Sequence, residues 1–464
     1  MGDAHSFDPT ILREYDIRGI VGDTLVRDDA YAVGRGFGTC VVKAGGERVA
    51  LGYDGRLTSP DLAEGVLQGF LDCGLHVKRI NMGPTPMLSF AIRHLETDSG
   101  LMVTGSHNPA DYNGFKMTLA GKPFFGDSIQ RLGDIAAVAD FARGEGTLED
   151  VDVCEDYVSM LAQEYQPLRT RNIAWDPGNG AGGEVLDMLC SRIRGHHHVI
   201  NGTVDGRFPG HHPDPTVAAN LADLQACVAE HNCELGIAFD GDADRIGVID
   251  GRGRILWADQ LMMLFAEDVL RDDPGATIIA DVKSSQVLFD EIARHGGVPV
   301  MWKTGHSLIK SKMTETGAPL AGEMSGHIFF ADRYFGFDDG FYAAVRLLSL
   351  LERRDVTLAD LLDDLPEVCN TPELRFECAQ GRNFAIVTEV EARLIKAGAV
   401  FSGIDGVRVS TVDGWWLLRA SNTQDLLVAR CEAQHTGGLA RLQQDLSNQL
   451  AASGVEVPSD LIGN

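Results

Sequence analysis

The sequence predicts an α/β protein of several domains: three similar α/β units with mixed sheets, then a smaller C-terminal α+β unit. Three observations carry this. A chain of 464 residues is too long for one core and allows roughly three or four domains. The first three quarters repeat one plan, a short apolar strand, a Gly/Asp/Ser loop and an amphipathic helix. After about residue 366 the plan changes, and strands follow one another. Alternating strands and helices call for parallel or mixed sheets, whereas consecutive strands call for antiparallel pairing. Divisions near 151, 254 and 366 give units 1–151, 152–254, 255–366 and 367–464.

The elements follow in order. Val49 to Gly52 is a strand running into Tyr53-Asp54-Gly55-Arg56, and Ser59-Pro60 reads as an N-cap and first helical residue. Ser99 to Val103 is the strand leading to a serine loop. Ile173 to Trp175 leads into Asp176-Pro177-Gly178-Asn179-Gly180, with a helix from about Gly183. Leu235 to Phe239 delivers an aspartate-rich loop, and Ile246 to Ile249 follows it. Thr277 to Ala280 and Val298 to Trp302 precede loops holding Lys283 and His306. In the last unit Leu374 to Cys378, a helix from Phe384 to Ala397, Val407 to Ser410, Trp415 to Arg419 and Leu426 to Glu432 precede a closing helix, Gly438 to Ala452. Ligands of such sheets gather beyond the carboxyl ends of the strands, where most of the polar motifs lie.

Composition narrows the function. Hydrophobic content of 44% and charged content of 23% are ordinary for a soluble globular chain. No apolar run reaches the roughly 20 residues that span a bilayer, and the first eight residues show no signal peptide. The nine cysteines are scattered with no CxxC pair, so neither a disulfide framework nor a thiolate zinc site is expected, and a reducing cytoplasm is. A formal charge of -27 argues against a nucleic-acid partner. It does not exclude a phosphorylated small molecule, because Arg18, Lys116, Arg245, Lys283, His306, His327 and Arg419 all lie in or beside Gly-rich motifs.

Two motifs carry the chemistry. Thr104-Gly105-Ser106-His107-Asn108-Pro109 places a serine hydroxyl on a turn. Asp240-Gly241-Asp242-Ala243-Asp244-Arg245 places three carboxylates at alternate positions. Such carboxylates suit Mg²⁺, and three like charges on one loop repel unless a cation joins them. An EF-hand is excluded, because its sixth position is Arg245 and its twelfth is Gly251. Ser106 is no hydrolase elbow, since Thr104 stands where GxSxG needs glycine, and Gly121-Lys122-Pro123 is no Walker A loop. A serine needs a base or metal to react, so the serine loop and the aspartate loop are expected to meet. The chemistry that results is phosphoryl transfer through a phosphoserine.

Gly322-Glu323-Met324-Ser325-Gly326-His327, read as an extended segment, puts a carboxylate and a hydroxyl on one side, suited to adjacent sugar hydroxyls; a plain β-turn is the bland alternative. Arg419-Ala420-Ser421-Asn422-Thr423 reads as a phosphate cradle, or as a strand-end turn. His196-His197-His198 reads as a solvated strand start in preference to a metal site, and His211 to Pro215 as a rigid turn in preference to a segment packed near the aspartate loop. Trp415-Trp416 is expected half in the core and half on the surface.

These motifs, together with Glu14-Tyr15-Asp16-Ile17-Arg18-Gly19, Asp111 to Lys116 and Lys303 to Ser307, resemble in collinear order the α-D-phosphohexomutase superfamily, its bacterial phosphomannomutase/phosphoglucomutase branch in particular. The resemblance implies four domains around a central cleft. It implies that Ser106 is the phosphoserine and that Asp240, Asp242 and Asp244, with Ser106, hold Mg²⁺. Glu323 and Ser325, with His306 and His327 beside them, would contact sugar hydroxyls, and Arg419, Ser421, Asn422 and Thr423 the distal phosphate. Tyr15, Arg18, Lys116, Arg245 and Lys283 would surround the reacting phosphate. The implied reaction converts mannose or glucose 1-phosphate and 6-phosphate through a hexose 1,6-bisphosphate, which turns over in the cleft. His107, Lys116 and Arg18 are alternatives for the proton acceptor. Closure of the last domain on substrate and a monomeric state are expected. A phosphoglucosamine mutase, a non-catalytic sugar-phosphate-binding protein and a phosphatase are the rivals. Two departures stand out: Ala243 replaces a usual glycine, and Gln424-Asp425 follows the phosphate loop.

Overall fold

Each of the first three units is built on one strand order, seen in a computed structural model that describes residues 4–379, 381–421, 426–457 and 461. In the first, Tyr112–Leu119, Ser99–Val103, Arg48–Tyr53 and His76–Met82 lie side by side, the last three parallel and the first antiparallel. The second repeats this with Ile246–Asp250, Leu235–Phe239, Arg171–Asp176 and Gly195–Val199. The third does so with Ile328–Phe330, Leu320–Gly322, Thr277–Asp281 and Val298–Trp302. Parallel neighbours need helical crossovers. Helices Ser59–Asp72, Gly183–Arg192 and Gln286–Arg294 supply the first of them in each unit.

This order fixes where function sits. In each unit the third parallel strand ends in a hairpin, and its partner returns antiparallel. The three hairpin connections hold Ser106, the Asp240–Asp244 run and Glu323. The fourth sheet is wholly antiparallel, and strand Gly414–Ala420 ends beside Ser421 before Leu426–Ala433 returns. Residues Asn422 to Asp425 lie outside the described residues.

The cores differ in kind. One continuous apolar cluster runs from Ile80 and Met87 of the first unit through Trp175 and Ile237 to Ile278 and Leu347 of the third. The fourth unit has its own core, around Val390, Trp416, Leu418 and Leu446. Its join to the third is largely polar. The Arg408 guanidinium donates to the carbonyls of Val282 at 2.8 Å and Ser284 at 3.0 Å while stacking 3.8 Å from the Trp415 ring. Trp415 is therefore not half on the surface: both tryptophans are buried, Trp416 in the domain core and Trp415 under Arg408 at this join. Ser59 is likewise no N-cap. Thr58 precedes the helix, and the Ser59 hydroxyl turns instead to Asp54. Among the described residues no helix is long and apolar enough to cross a membrane.

Asp339 anchors the second unit to the third. It caps helix Gly340–Arg354 by accepting from the Tyr342 amide at 2.9 Å, and accepts from the hydroxyls of Tyr157 at 2.8 Å and Tyr334 at 2.6 Å. Burial raises its carboxyl to about 6, although these bonds oppose the rise. A carboxyl raised on folding stabilises the fold while protonated, and that contribution fades as pH climbs from the unfolded value through 6. Asp339→Asn should therefore gain on the wild type by up to about 3 kcal/mol between pH 4 and pH 7 in denaturant unfolding; a pH-independent difference would remove the buried carboxyl from this role.

Candidate active site

Ser106 is 1% exposed and has φ +48, in the left-handed region that non-glycine residues rarely enter. Its amide donates to the Thr104 hydroxyl at 2.9 Å. Its Oγ donates to Asp240 Oδ2 at 3.0 Å and lies 3.2 Å from His107 Nδ1. The two loops touch because Gly241 has no side chain, for a Cβ there would stand 2.4 Å from the Ser106 carbonyl oxygen. Further stitches hold them: the Thr85 amide donates to Asp242 O at 2.9 Å, and the hydroxyls of Thr85 and Thr104 meet Asp242 Oδ2 at 2.5 and 3.1 Å.

The three aspartates are fully buried, and one ligand oxygen from each lies within 4.8 Å of the others. Asp242 Oδ1 has no hydrogen-bond partner among the described residues. Burial and repulsion from Asp244 and Asp242 push the Asp240 carboxyl well above its usual range. An all-oxygen cage with a strained proton balance and an unpaired oxygen fits a hard divalent cation. Lys116 borders the cage, with Nζ 2.7 Å from Asp242 Oδ2 and also bonded to Asp244 Oδ2. Burial opposes charge on Lys116, but Asp242, Asp244 and Asp240 raise its pKa regardless. His107 moves the other way: burial, then Arg245, Arg18 and Lys116, hold its imidazole well below the usual value.

A cleft of about 320 Å³ opens over this floor. Tyr15, Arg18, Ser106, His107, Lys116, Arg245, Lys283, His306, Glu323, Ser325, His327, Arg419 and Ser421 all line it. The sequence thus nominated most of the wall, although Asn422 and Thr423 lie outside the described residues. The Glu323–Ser325 segment is not extended. It is the turn of a hairpin, closed by the Gly326 amide on Glu323 O at 3.0 Å. Both side chains still converge on His327 Nδ1, Ser325 Oγ at 2.9 Å and Glu323 Oε2 at 3.1 Å. Burial works against protonation of His327, but Asp244 outweighs it and lifts the pKa to about 9. The Ile246 amide on Gly326 O at 3.0 Å ties the aspartate loop to this hairpin.

Other partners came only with the coordinates. Lys283 is held by Glu373 Oε2 at 2.8 Å. Asp405 Oδ2 accepts from Arg419 Nε and from the Thr304 amide, both at 3.0 Å, and Tyr15 donates to Thr304 O at 2.8 Å. Asp338 stands 3.3 Å from His306 and 3.0 Å from Lys310. His212 and Asp214 also line the cleft, so the His211 to Pro215 turn reaches the site, anchored by His211 on Asp176 Oδ2 at 2.8 Å. None of these carries a local sequence signal beyond a charged residue in a loop.

A serine hydroxyl against a buried acid triad, under a cation-lined cleft, is an arrangement suited to phosphoryl transfer. Four family models match the chain in sequence, described as phosphoglucomutase/phosphomannomutase alpha/beta/alpha domain I over residues 9–143, domain II over 155–253, domain III over 257–369 and C-terminal domain over 373–449. The chain belongs to the phosphoglucomutase/phosphomannomutase family, and its fold is that family's three α/β domains and C-terminal domain around a cleft. It is 44% identical over 449 residues to a phosphomannomutase/phosphoglucomutase of Pseudomonas aeruginosa, covering 97% of each chain. It is 45% identical over 437 residues to a phosphoglucomutase of Neisseria meningitidis, covering 93% of this chain and 95% of the relative. A crystal structure of a phosphoglucomutase/phosphomannomutase family protein from Burkholderia thailandensis superposes with a TM-score of 0.92 at 42% identity, covering 97% of this chain and 99% of the other.

The cage makes a direct prediction. Asp242→Asn should weaken Mg²⁺ binding at least about tenfold in calorimetric titration while the fold persists, and chelation should abolish turnover reversibly. Unchanged affinity would place the cation elsewhere.

Proposed function

We propose that this chain interconverts the 1-phosphates and 6-phosphates of mannose, glucose or both, by reversible phosphoryl transfer through phospho-Ser106 and a hexose 1,6-bisphosphate. The observation that carries the reading is Ser106 Oγ at 3.0 Å from Asp240 Oδ2, on the floor of a cleft walled by cations. In the first half-reaction the bond between phosphorus and Ser106 Oγ breaks, a bond to the free sugar hydroxyl oxygen forms, and that hydroxyl's proton ends on the departing Ser106 Oγ. The bisphosphate then turns over, and its other phosphate passes to Ser106, restoring the phosphoenzyme. Asp240, Asp242, Asp244 and the Ser106 oxygen would hold a divalent cation, which would supply charge neutralisation to the phosphate oxygens.

The chain's own groups do the rest. Arg245 and Lys116 flank the transferring group, and the Asp240 carboxylate takes the hydrogen bond of Ser106 between transfers. Glu323 and Ser325 meet vicinal hydroxyls, which lets either sugar orientation be gripped. Arg419 and Ser421 hold the distal phosphate, with Lys283 nearby. The fourth unit, 367–464, has its own core and a polar join to the third; both support its closing on substrate to exclude water. A cleft lined by residues of all four units of one chain supports a working monomer, and nine scattered cysteines with no CxxC pair support a reducing cytoplasm.

Mannose, glucose and glucosamine 1-phosphates offered in turn, with each 6-phosphate measured, test the substrate. Turnover of the amino sugar alone would overturn the reading, as would release of inorganic phosphate without isomerisation. Ser106→Ala should lose at least about a thousandfold in kcat with sugar-phosphate binding retained, and intact mass of the wild type should show one phosphoryl adduct at Ser106. Arg419→Ala should raise KM at least about tenfold; an unchanged KM removes Arg419 from phosphate binding.

A further inference from the structure

The Tyr53-Asp54-Gly55-Arg56 turn at the end of strand Arg48–Tyr53 lies behind the serine loop and does not line the cleft. The Arg56 side chain is wholly buried. Its Nη2 donates to Ser106 O at 2.7 Å and Asn108 O at 2.6 Å, and its Nη1 to Tyr112 O at 3.0 Å and to Pro109 O. Four carbonyls of one loop therefore converge on a single guanidinium. Asp54 aims that fork: its Oδ2 lies 3.3 Å from Arg56 Nε and accepts from the Thr104 hydroxyl at 2.8 Å and the Gly105 amide at 3.1 Å. Gly105 lies directly over the guanidinium, since a Cβ there would stand 2.4 Å from Arg56 Nε.

We propose that Arg56, oriented by Asp54, is a positioning residue for phosphoryl transfer: it fixes the backbone of the Ser106 loop so that Oγ keeps one place as both attacking and leaving oxygen. The proposal rests on the reading of Ser106 as phosphoryl carrier. The physical need is plain. Ser106 occupies a left-handed conformation that is energetically costly for a non-glycine residue. Four carbonyls turned inward from one loop repel one another and lose water unless a donor serves them all. A planar fork with several N–H groups can do so, whereas an ammonium is one point with three donors on a flexible stem. Shifting a reacting atom by about 1 Å is enough to cost about a hundredfold in rate.

The test uses Arg56→Lys and Arg56→Ala, with Asp54→Asn as a variant that keeps side-chain shape, assayed on glucose 1-phosphate with Mg²⁺. Arg56→Lys should lower kcat about a hundredfold while KM stays within about threefold. Millimolar guanidinium, and not ammonium, should recover at least fivefold of the rate of Arg56→Ala. If that variant does not fold, Asp54→Asn should show the same kcat loss at constant KM. Wild-type kcat in Arg56→Lys would overturn the proposal. So would a loss that follows the unfolded fraction in denaturant curves, or a rise in KM with kcat unchanged. Ser106→Ala run alongside separates the two readings: normal turnover there ends the carrier role itself, whereas an inert Ser106→Ala beside a fully active Arg56→Lys ends only the role of Arg56.

Discussion

One contact organises the molecule, the approach of the serine loop to the aspartate loop at Gly241. A side chain at that glycine would press on the Ser106 carbonyl. Without one, a hydroxyl from the first unit and a carboxylate from the second share a hydrogen bond across 134 residues of chain. Around it lie several buried charged groups, and charge in a buried place survives only by compensation. Lys116 is held by two aspartates, His327 by Asp244 and Glu323, Lys283 by Glu373 and Arg419 by Asp405. The cations of the cleft thus belong to a network of buried ion pairs, some within one unit, as Arg419 with Asp405, and others between units, as Lys116 with Asp242 and Lys283 with Glu373. This explains how a chain of formal charge -27 presents a cationic pocket to an anionic substrate.

The two kinds of core divide labour. A continuous apolar cluster fuses the first three units, which fits a site whose serine, acid cage and hairpin must keep fixed distances. The fourth is joined by buried arginine fans onto carbonyls and a tryptophan face, with Val282, Trp415 and Leu417 forming a small apolar patch between the units.

Much of this was legible in the sequence, for definite reasons. Ser99 to Val103, Leu235 to Phe239 and Val298 to Trp302 came out with the limits expected, since each is a short run rich in apolar residues between loop signals. Two-residue strands such as Lys122–Pro123 and Phe401–Ser402 carry no pattern and appear only through their partners. The site motifs were legible because their residues are contiguous. Ala243, where glycine is usual, adopts φ +57, a region that glycine enters without strain. Asp405, Glu373 and Arg56 were not legible as site residues, because each acts through space on a segment far along the chain. Of the two readings of Glu323–Ser325, extended segment and β-turn, the turn holds, because alternation in sequence says nothing about where a hairpin reverses.

The strand order shared by three units bears on how such a molecule can change. In each, the reversing connection is clamped at its base by a ladder of backbone bonds that takes no account of what the tip contains. One tip holds Ser106, a second the Asp240–Asp244 run and a third Glu323, all on the same scaffold. New specificity in this architecture can therefore arise by rewriting a handful of codons at one apex, leaving the other apices and the cores beneath them as they are.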